Sequence, residues 1–135
     1  MITGIDHIGL FVTDIDAALR FYTETLGLRA GPIETRDDPP IRRACVYIGE
    51  TELELIEAHD AERTMMRYLP HRHAGIYHLG LRVNDVDGAA AALQARAVPL
   101  IDAIREGETM RIQFLHPDAA QGTMIELVTR KTPPR

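Results

Sequence analysis

One stretch is written twice, and that duplication narrows what the chain can fold into. Residues 5–15, IDHIGLFVTDI, return 71 positions later as IYHLGLRVNDV, residues 76–86. The echo pairs Ile5 with Ile76, His7 with His78, Gly9 with Gly80, Leu10 with Leu81, Val12 with Val83, Asp14 with Asp85 and Asp16 with Asp87. A second echo closes each half, Leu53-Glu54-Leu55-Ile56 against Ile125-Glu126-Leu127-Val128. Two copies of one supersecondary unit are the economical reading. Each copy brings one histidine near its start and one glutamate near its end.

Residues 3–12 alternate as a strand should, and Asp14 is a good N-cap for the helical spacing of Ile15, Ala18, Leu19, Tyr22 and Leu26. Gly27 stops that helix. Strand-like residues 28–35 lead to Arg36-Asp37-Asp38-Pro39-Pro40, read as a polar loop and the most mobile one. Residues 42–48 and 51–57 form a hairpin turning at Gly49-Glu50. A helix over 61–69 is expected to join the halves. The second half repeats the plan: a strand at 75–83, Asp85 as cap, a helix at 86–97, then strands near 99–104, 110–115 and 123–129. The fold class expected is α+β, two βαβββ modules forming a curled mixed sheet around a metal-binding cleft. The chain reads as a single domain: module one 3–58, linker helix 59–74, module two 75–130 and a frayed tail 131–135.

Alternation across a strand decides where the duplicated polar residues point. Ile8, Leu10 and Val12, with Leu79, Leu81 and Val83, make the face that an amphipathic helix covers, so His7 and His78 point to the other side. The same parity places Leu53 and Leu55, and Ile125 and Leu127, under the helices and turns Glu54 and Glu126 away with the histidines. A sheet with one bare face must cover it, and two such modules are expected to share a concavity. A carboxylate buried there is costly unless paired, wet or metal-bound. Two imidazoles and two carboxylates form a mixed N/O donor set suited to a divalent transition ion. A lone strand histidine is commonly a hydrogen-bonded core or surface residue, and a lone strand glutamate commonly faces water. The shared parity of both copies strengthens the joint case, although repetition also preserves folding features such as Gly9/Gly80 and Asp14/Asp85.

Bulk composition narrows the partners. The 135 residues are 45% hydrophobic, enough for a real core, and a net charge of −5 leaves no electrostatic footprint for nucleic acid or an anionic membrane surface. A single cysteine, Cys45, cannot form an internal disulfide, and no apolar run reaches the length of a membrane span. A cytoplasmic location is the expectation. Cys45 reads as core packing, Met65 and Met66 as packing of the linker helix, and Arg67, His71, Arg72 and His73 as a solvated basic linker that could also meet a phosphate. Glu52 shares a face with Glu54 but meets Met124 in the other copy.

At these residues the pattern resembles the vicinal oxygen chelate (glyoxalase, bleomycin resistance, dioxygenase) superfamily, over residues 3–130. Its second half is most similar to methylmalonyl-CoA epimerases, through Ala74-Gly75-Ile76-Tyr77-His78-Leu79-Gly80, Phe114-Leu115-His116-Pro117-Asp118 and Gly122-Thr123-Met124-Ile125-Glu126-Leu127. Met66-Arg67-Tyr68-Leu69 resembles the linker helix of that family. The resemblance implies metal ligands at His7, Glu54, His78 and Glu126, holding one divalent ion per chain (Co, Ni, Zn or Mn). It also implies an acyl-CoA substrate, proton exchange alpha to the thioester, and a homodimer. Glu126 is the implied catalytic base. Several relatives carry a glutamate where this chain has Arg43, and an arginine is no base at neutral pH. Arg43 reads either as a bidentate binder of a substrate carboxylate or phosphate or as a solvated strand-edge charge. His116 reads either as lining the site or as shaping a turn. Two other outcomes stay open: a glyoxalase I-type isomerase or Fe(II) dioxygenase, and a metal-free drug-binding resistance protein.

Overall fold

Alternating and helical stretches become strands and helices largely where their spacing demands. The computed structural model describes residues 1–37, 40–58 and 74–132. Strand β1 spans Ile2–Phe11 and helix α1 Ile15–Arg20, extended by a π-helical turn over Phe21–Thr25. Strands β2 (Arg29–Ala30), β3 (Glu34–Asp37), β4 (Pro40–Ile48) and β5 (Thr51–Ala58) follow. Then come β6 (Gly75–Val83), α2 (Val86–Ala95), β7 (Leu100–Glu106), β8 (Met110–Leu115) and β9 (Met124–Arg130). The fold is α+β, two copies of a strand–helix–strands plan. The linker helix expected over 61–69, the basic cluster Arg67, His71, Arg72 and His73, and Met65 and Met66 lie outside the described residues.

The chain divides into two compact units, residues 8–77 and residues 1–7 with 78–135. In the unit of residues 8–77, β4 pairs antiparallel with β5 through a two-residue turn at Gly49-Glu50, where Gly49 takes φ +56°. The strands β2 and β3 also pair with β4. Helix α1 starts at Asp14, whose carboxylate accepts from the Ala17 N–H at 3.0 Å. The Ile15 N–H, another donor left over at the helix start, is taken by the Glu57 carboxylate at 2.8 Å. Ile15 of the helix packs with Ala44, Val46 and Leu55, and Leu10 and Leu53 pack against them, as the parity of those strands requires.

In the other unit β6 runs parallel to β9, β9 antiparallel to β8, and β8 antiparallel to β7. Asp85 caps α2 by accepting from the Asp87 N–H at 3.1 Å. Its core is Val83, Val86, Ala89, Leu115 and Leu127, with Ile125 packed against it. The ladder between β7 and β8 breaks between Ile101 and Arg105. The buried Gln113 amide donates there to the Ile101 and Asp102 carbonyls at 2.9 and 3.3 Å.

Three local expectations need correction. The strand expected over 28–35 is two short strands, because Pro32 cannot donate to a ladder and the Tyr47 hydroxyl approaches Gly31 so closely that a Cβ there would lie 2.6 Å from it. Of the loop expected at 36–40, the described residues are strand: Arg36 pairs with Ile41 and Asp37 with Pro40. Pro40 opens β4, a position where its missing N–H is tolerated. Helix α2 ends two residues early. Ala97 takes φ +58° and donates to the Gln94 carbonyl, while the Val98 N–H reaches the Leu93 carbonyl. That helix end normally announces itself with glycine.

Two outcomes test this packing. Ile15→Ala, at a fully buried position, is expected to cost about 2–5 kcal/mol of stability, read from urea unfolding; a cost within error of zero contradicts the assigned core. Burial, with the carboxylates of Glu54 and Glu52, pushes the Cys45 thiol from 9.0 up to about 12. Alkylation by iodoacetamide at pH 8 should therefore run on the order of 1000-fold slower in native than in urea-unfolded protein. Equal rates contradict it.

Candidate metal centre

His7 lies on β1, His78 on β6 and Glu126 on β9, and all three belong to the same unit although His7 comes from the first sequence copy. Their parity is the expected one. Leu81 and Leu127 turn toward the core under α2, while His7 and His78 are each 2% exposed and Glu126 4%. The Nε2 atoms of the two histidines stand 2.7 Å apart. His7 Nε2 is 3.5 Å from one Glu126 oxygen and His78 Nε2 is 3.5 Å from the other. One donor atom from each of the three lies within 4.8 Å of the others, the one such grouping of metal-ligating side chains among the described residues. The rings meet edge to face, with centroids 4.9 Å apart, and Phe114 stands edge-on to His78 at 5.9 Å.

Gly80 makes room for this. It lies two residues beyond His78 on the same face and opposite Glu126 in the parallel ladder. A Cβ there would sit 2.5 Å from His7 Cε1 and Nδ1. The repeat flagged this glycine as a packing residue, and the packing partner is the first histidine.

Behind His7 stands a residue the parity argument assigned to the opposite face. Asp6 is fully buried, and its Oδ1 lies 2.9 Å from His7 Nδ1. Arg130 grips the same carboxylate in bidentate fashion, Nε to Oδ2 at 2.7 Å and Nη2 to Oδ1 at 2.8 Å, and Arg82 Nε adds a bond at 3.3 Å. Burial opposes the charge on Asp6, but hydrogen bonds from His7 and Arg130 outweigh it and hold the carboxyl well below the usual range. An ionised carboxylate only accepts, so Nδ1 of His7 is the donor. His7 Nε2 faces His78 and Glu126. The clue in the sequence was spacing: His78, Gly80 and Arg82, like Glu126 and Arg130, recur on one strand face.

The donor set fits a divalent transition ion. Two imidazoles and a carboxylate converge at a water-poor point, and a carboxylate backs one imidazole as in many metal sites. Glu54 lies in the unit of residues 8–77, with a carboxylate oxygen 3.9 Å from Arg43 Nη2. Arg43 also approaches Glu34 at 3.7 Å and Cys45 Sγ at 3.9 Å. Burial works to lower its pKa, but Glu54, Cys45 and Glu34 raise it above the ordinary guanidinium value. His116 caps the short 3-10 turn Pro117–Ala120, its Nδ1 accepting from the Asp118 N–H at 3.2 Å, which is the turn-shaping role.

Fold and site together define a class. Residues 4–133 match the Glyoxalase/Bleomycin resistance protein/Dioxygenase superfamily, and the chain belongs to it. It is 32% identical over 129 residues to the uncharacterized protein YqjC of Bacillus subtilis (strain 168), covering 94% of this chain and 92% of that one. The crystal structure of methylmalonyl-CoA epimerase from Mycobacterium tuberculosis superposes with a TM-score of 0.82 at 34% identity, over 94% of this chain and 87% of that one. A variant of Streptomyces coelicolor methylmalonyl-CoA epimerase in complex with 2-nitronate-propionyl-CoA superposes with a TM-score of 0.85 at 31% identity, over 98% and 100%. No helix among the described residues is long and apolar enough to cross a membrane.

Gly80→Ala tests the geometry directly. The added methyl must displace the His7 ring, so the variant is expected to lose about 1–3 kcal/mol of stability and to bind Zn(II) more weakly in chelator competition. Unchanged stability and affinity contradict the close approach.

Proposed function

We propose that this chain is a metal-dependent epimerase of a 2-methyl-branched, methylmalonyl-CoA-like acyl-CoA. The observation that carries the reading is the buried convergence of His7, His78 and Glu126 in a chain whose structural relatives include methylmalonyl-CoA epimerases. Those three residues are the proposed ligands of one divalent ion, Co(II), Ni(II), Zn(II) or Mn(II), with Glu54 as the fourth. The chemistry supplied by such an ion is Lewis acidity toward the carbonyl oxygens, which lowers the cost of the negative charge that develops when the alpha proton leaves.

The chain's own residues do the rest. Glu126 takes the proton from the carbon alpha to the thioester, and the C–H electron pair passes into the enolate. Glu126 releases that proton to solvent, and a solvent proton delivered to the opposite face forms the new C–H bond, so inversion is completed and nothing is consumed. His7 and His78 turn their Nε2 atoms toward Glu126. Arg43 is the proposed cation for the substrate's free carboxylate, and His116 contributes by shaping the turn ahead of β9. A homodimer in a cytoplasmic setting is part of the same proposal, by analogy with the superfamily.

Protein purified without chelator and then loaded with Co(II) is expected to wash the alpha proton of methylmalonyl-CoA into D2O, followed by proton NMR. Glu126→Gln should slow that exchange by about 10²–10⁴-fold, and Glu54→Gln should weaken the ion. A loaded protein without exchange removes the substrate assignment. A protein that rejects Co(II), Ni(II) and Zn(II) points to the metal-free drug-binding reading. Two histidines and one carboxylate also match the facial triad of Fe(II) oxygenases, so iron-dependent oxygen uptake with a catechol would favour the dioxygenase over the epimerase.

A further inference from the structure

We infer that Asp6 is a positioning residue for the metal-binding histidine His7, locked in place by Arg130 and Arg82; this rests on the metal-site reading above and deepens it. A histidine that ligates through Nε2 must carry its proton on Nδ1, and the group accepting that proton sets both tautomer and ring orientation. Asp6 Oδ1 stands at that atom, 2.9 Å away, and its carboxylate is fully buried. The Arg130 fork and Arg82 Nε leave the carboxylate little freedom to rotate.

The placement of the two arginines ties them to the ligands. His78 and Arg82 lie four residues apart on β6, and Glu126 and Arg130 four residues apart on β9. Strand alternation therefore sets each proposed ligand and its arginine on one face. The strands that carry two ligands also carry the two clamps on the residue behind the third. A purely structural ion pair accounts for the arginines but not for the bond from Asp6 to His7 Nδ1. It also predicts no effect on the histidine tautomer.

The test reads the histidine as well as the ion. In metal-free wild-type protein, long-range 1H–15N spectra of the imidazoles should show His7 as the Nδ1–H tautomer. In Asp6→Asn that population should fall, and Zn(II) affinity by chelator competition should drop by about 10–100-fold. Arg130→Gln loosens Asp6 without removing it and should shift both readouts in the same direction by less, which keeps the test alive if Asp6→Asn does not fold. Ile15→Ala, a destabilising change in the other unit, should leave the His7 tautomer as in wild type. A wild-type tautomer and wild-type Zn(II) affinity in both Asp6→Asn and Arg130→Gln overturn the inference while the metal site stands. Failure of the wild-type protein to bind any ion overturns the metal reading and this role together.

Discussion

The bond between Asp6 and His7 is the constraint on which the candidate centre turns. Two carboxylates lie buried within one small region, and burial of either charge is expensive without compensation. Asp6 accepts from His7, from both arms of the Arg130 fork and from Arg82. Its charge is thereby met by cations held within the same unit. Glu126 is placed differently, with an imidazole nitrogen 3.5 Å from each oxygen. The centre thus holds one carboxylate met by two guanidinium groups and another set beside two imidazoles.

Much of this was legible in the sequence, because the duplicated stretch fixes strand parity in both halves. The grouping of His7 with His78 and Glu126, and the burial of Leu55 and Leu127 under the helices, follow from counting by twos. Asp6 escaped for the same reason. Strict alternation sends neighbours to opposite faces, yet Asp6 and His7 bond to each other, and only the arginines on β6 and β9 explain why Asp6 turns inward. Those partners are 76 and 124 positions away, beyond any local pattern. The early end of α2 and the split of residues 28–35 were hidden by ordinary residues in unusual roles: Ala97 at a positive φ, and Gly31 beneath a tyrosine hydroxyl.

The division into units adds something the repeat could not supply. Counting from the sequence, each copy owns one histidine and one glutamate. In the structure the first seven residues associate with residues 78–135, so one unit holds both histidines, Glu126, Asp6 and the two arginines. Of the repeated pair Gly9 and Gly80, the second leaves the space that the other copy's histidine ring fills. Duplication supplies the parts, and the exchange of the first strand's opening residues brings them within bonding distance.

On the epimerase reading, the same electrostatics choose the base. By the resemblance drawn from the sequence, Arg43 falls where several relatives are expected to carry a glutamate, and its surroundings favour the protonated guanidinium even more than water does. It takes no proton near neutral pH. Asp6 is ionised, but a carboxyl held far below the usual range by hydrogen bonds from His7 and Arg130 is a poor proton acceptor, since basicity falls with pKa. Its lone pairs are also committed to those donors. Glu126 belongs to the converging donor group, with an imidazole nitrogen 3.5 Å from each oxygen. On that reading Glu126 remains the proposed base, and the arginine at position 43 does not disqualify the chemistry.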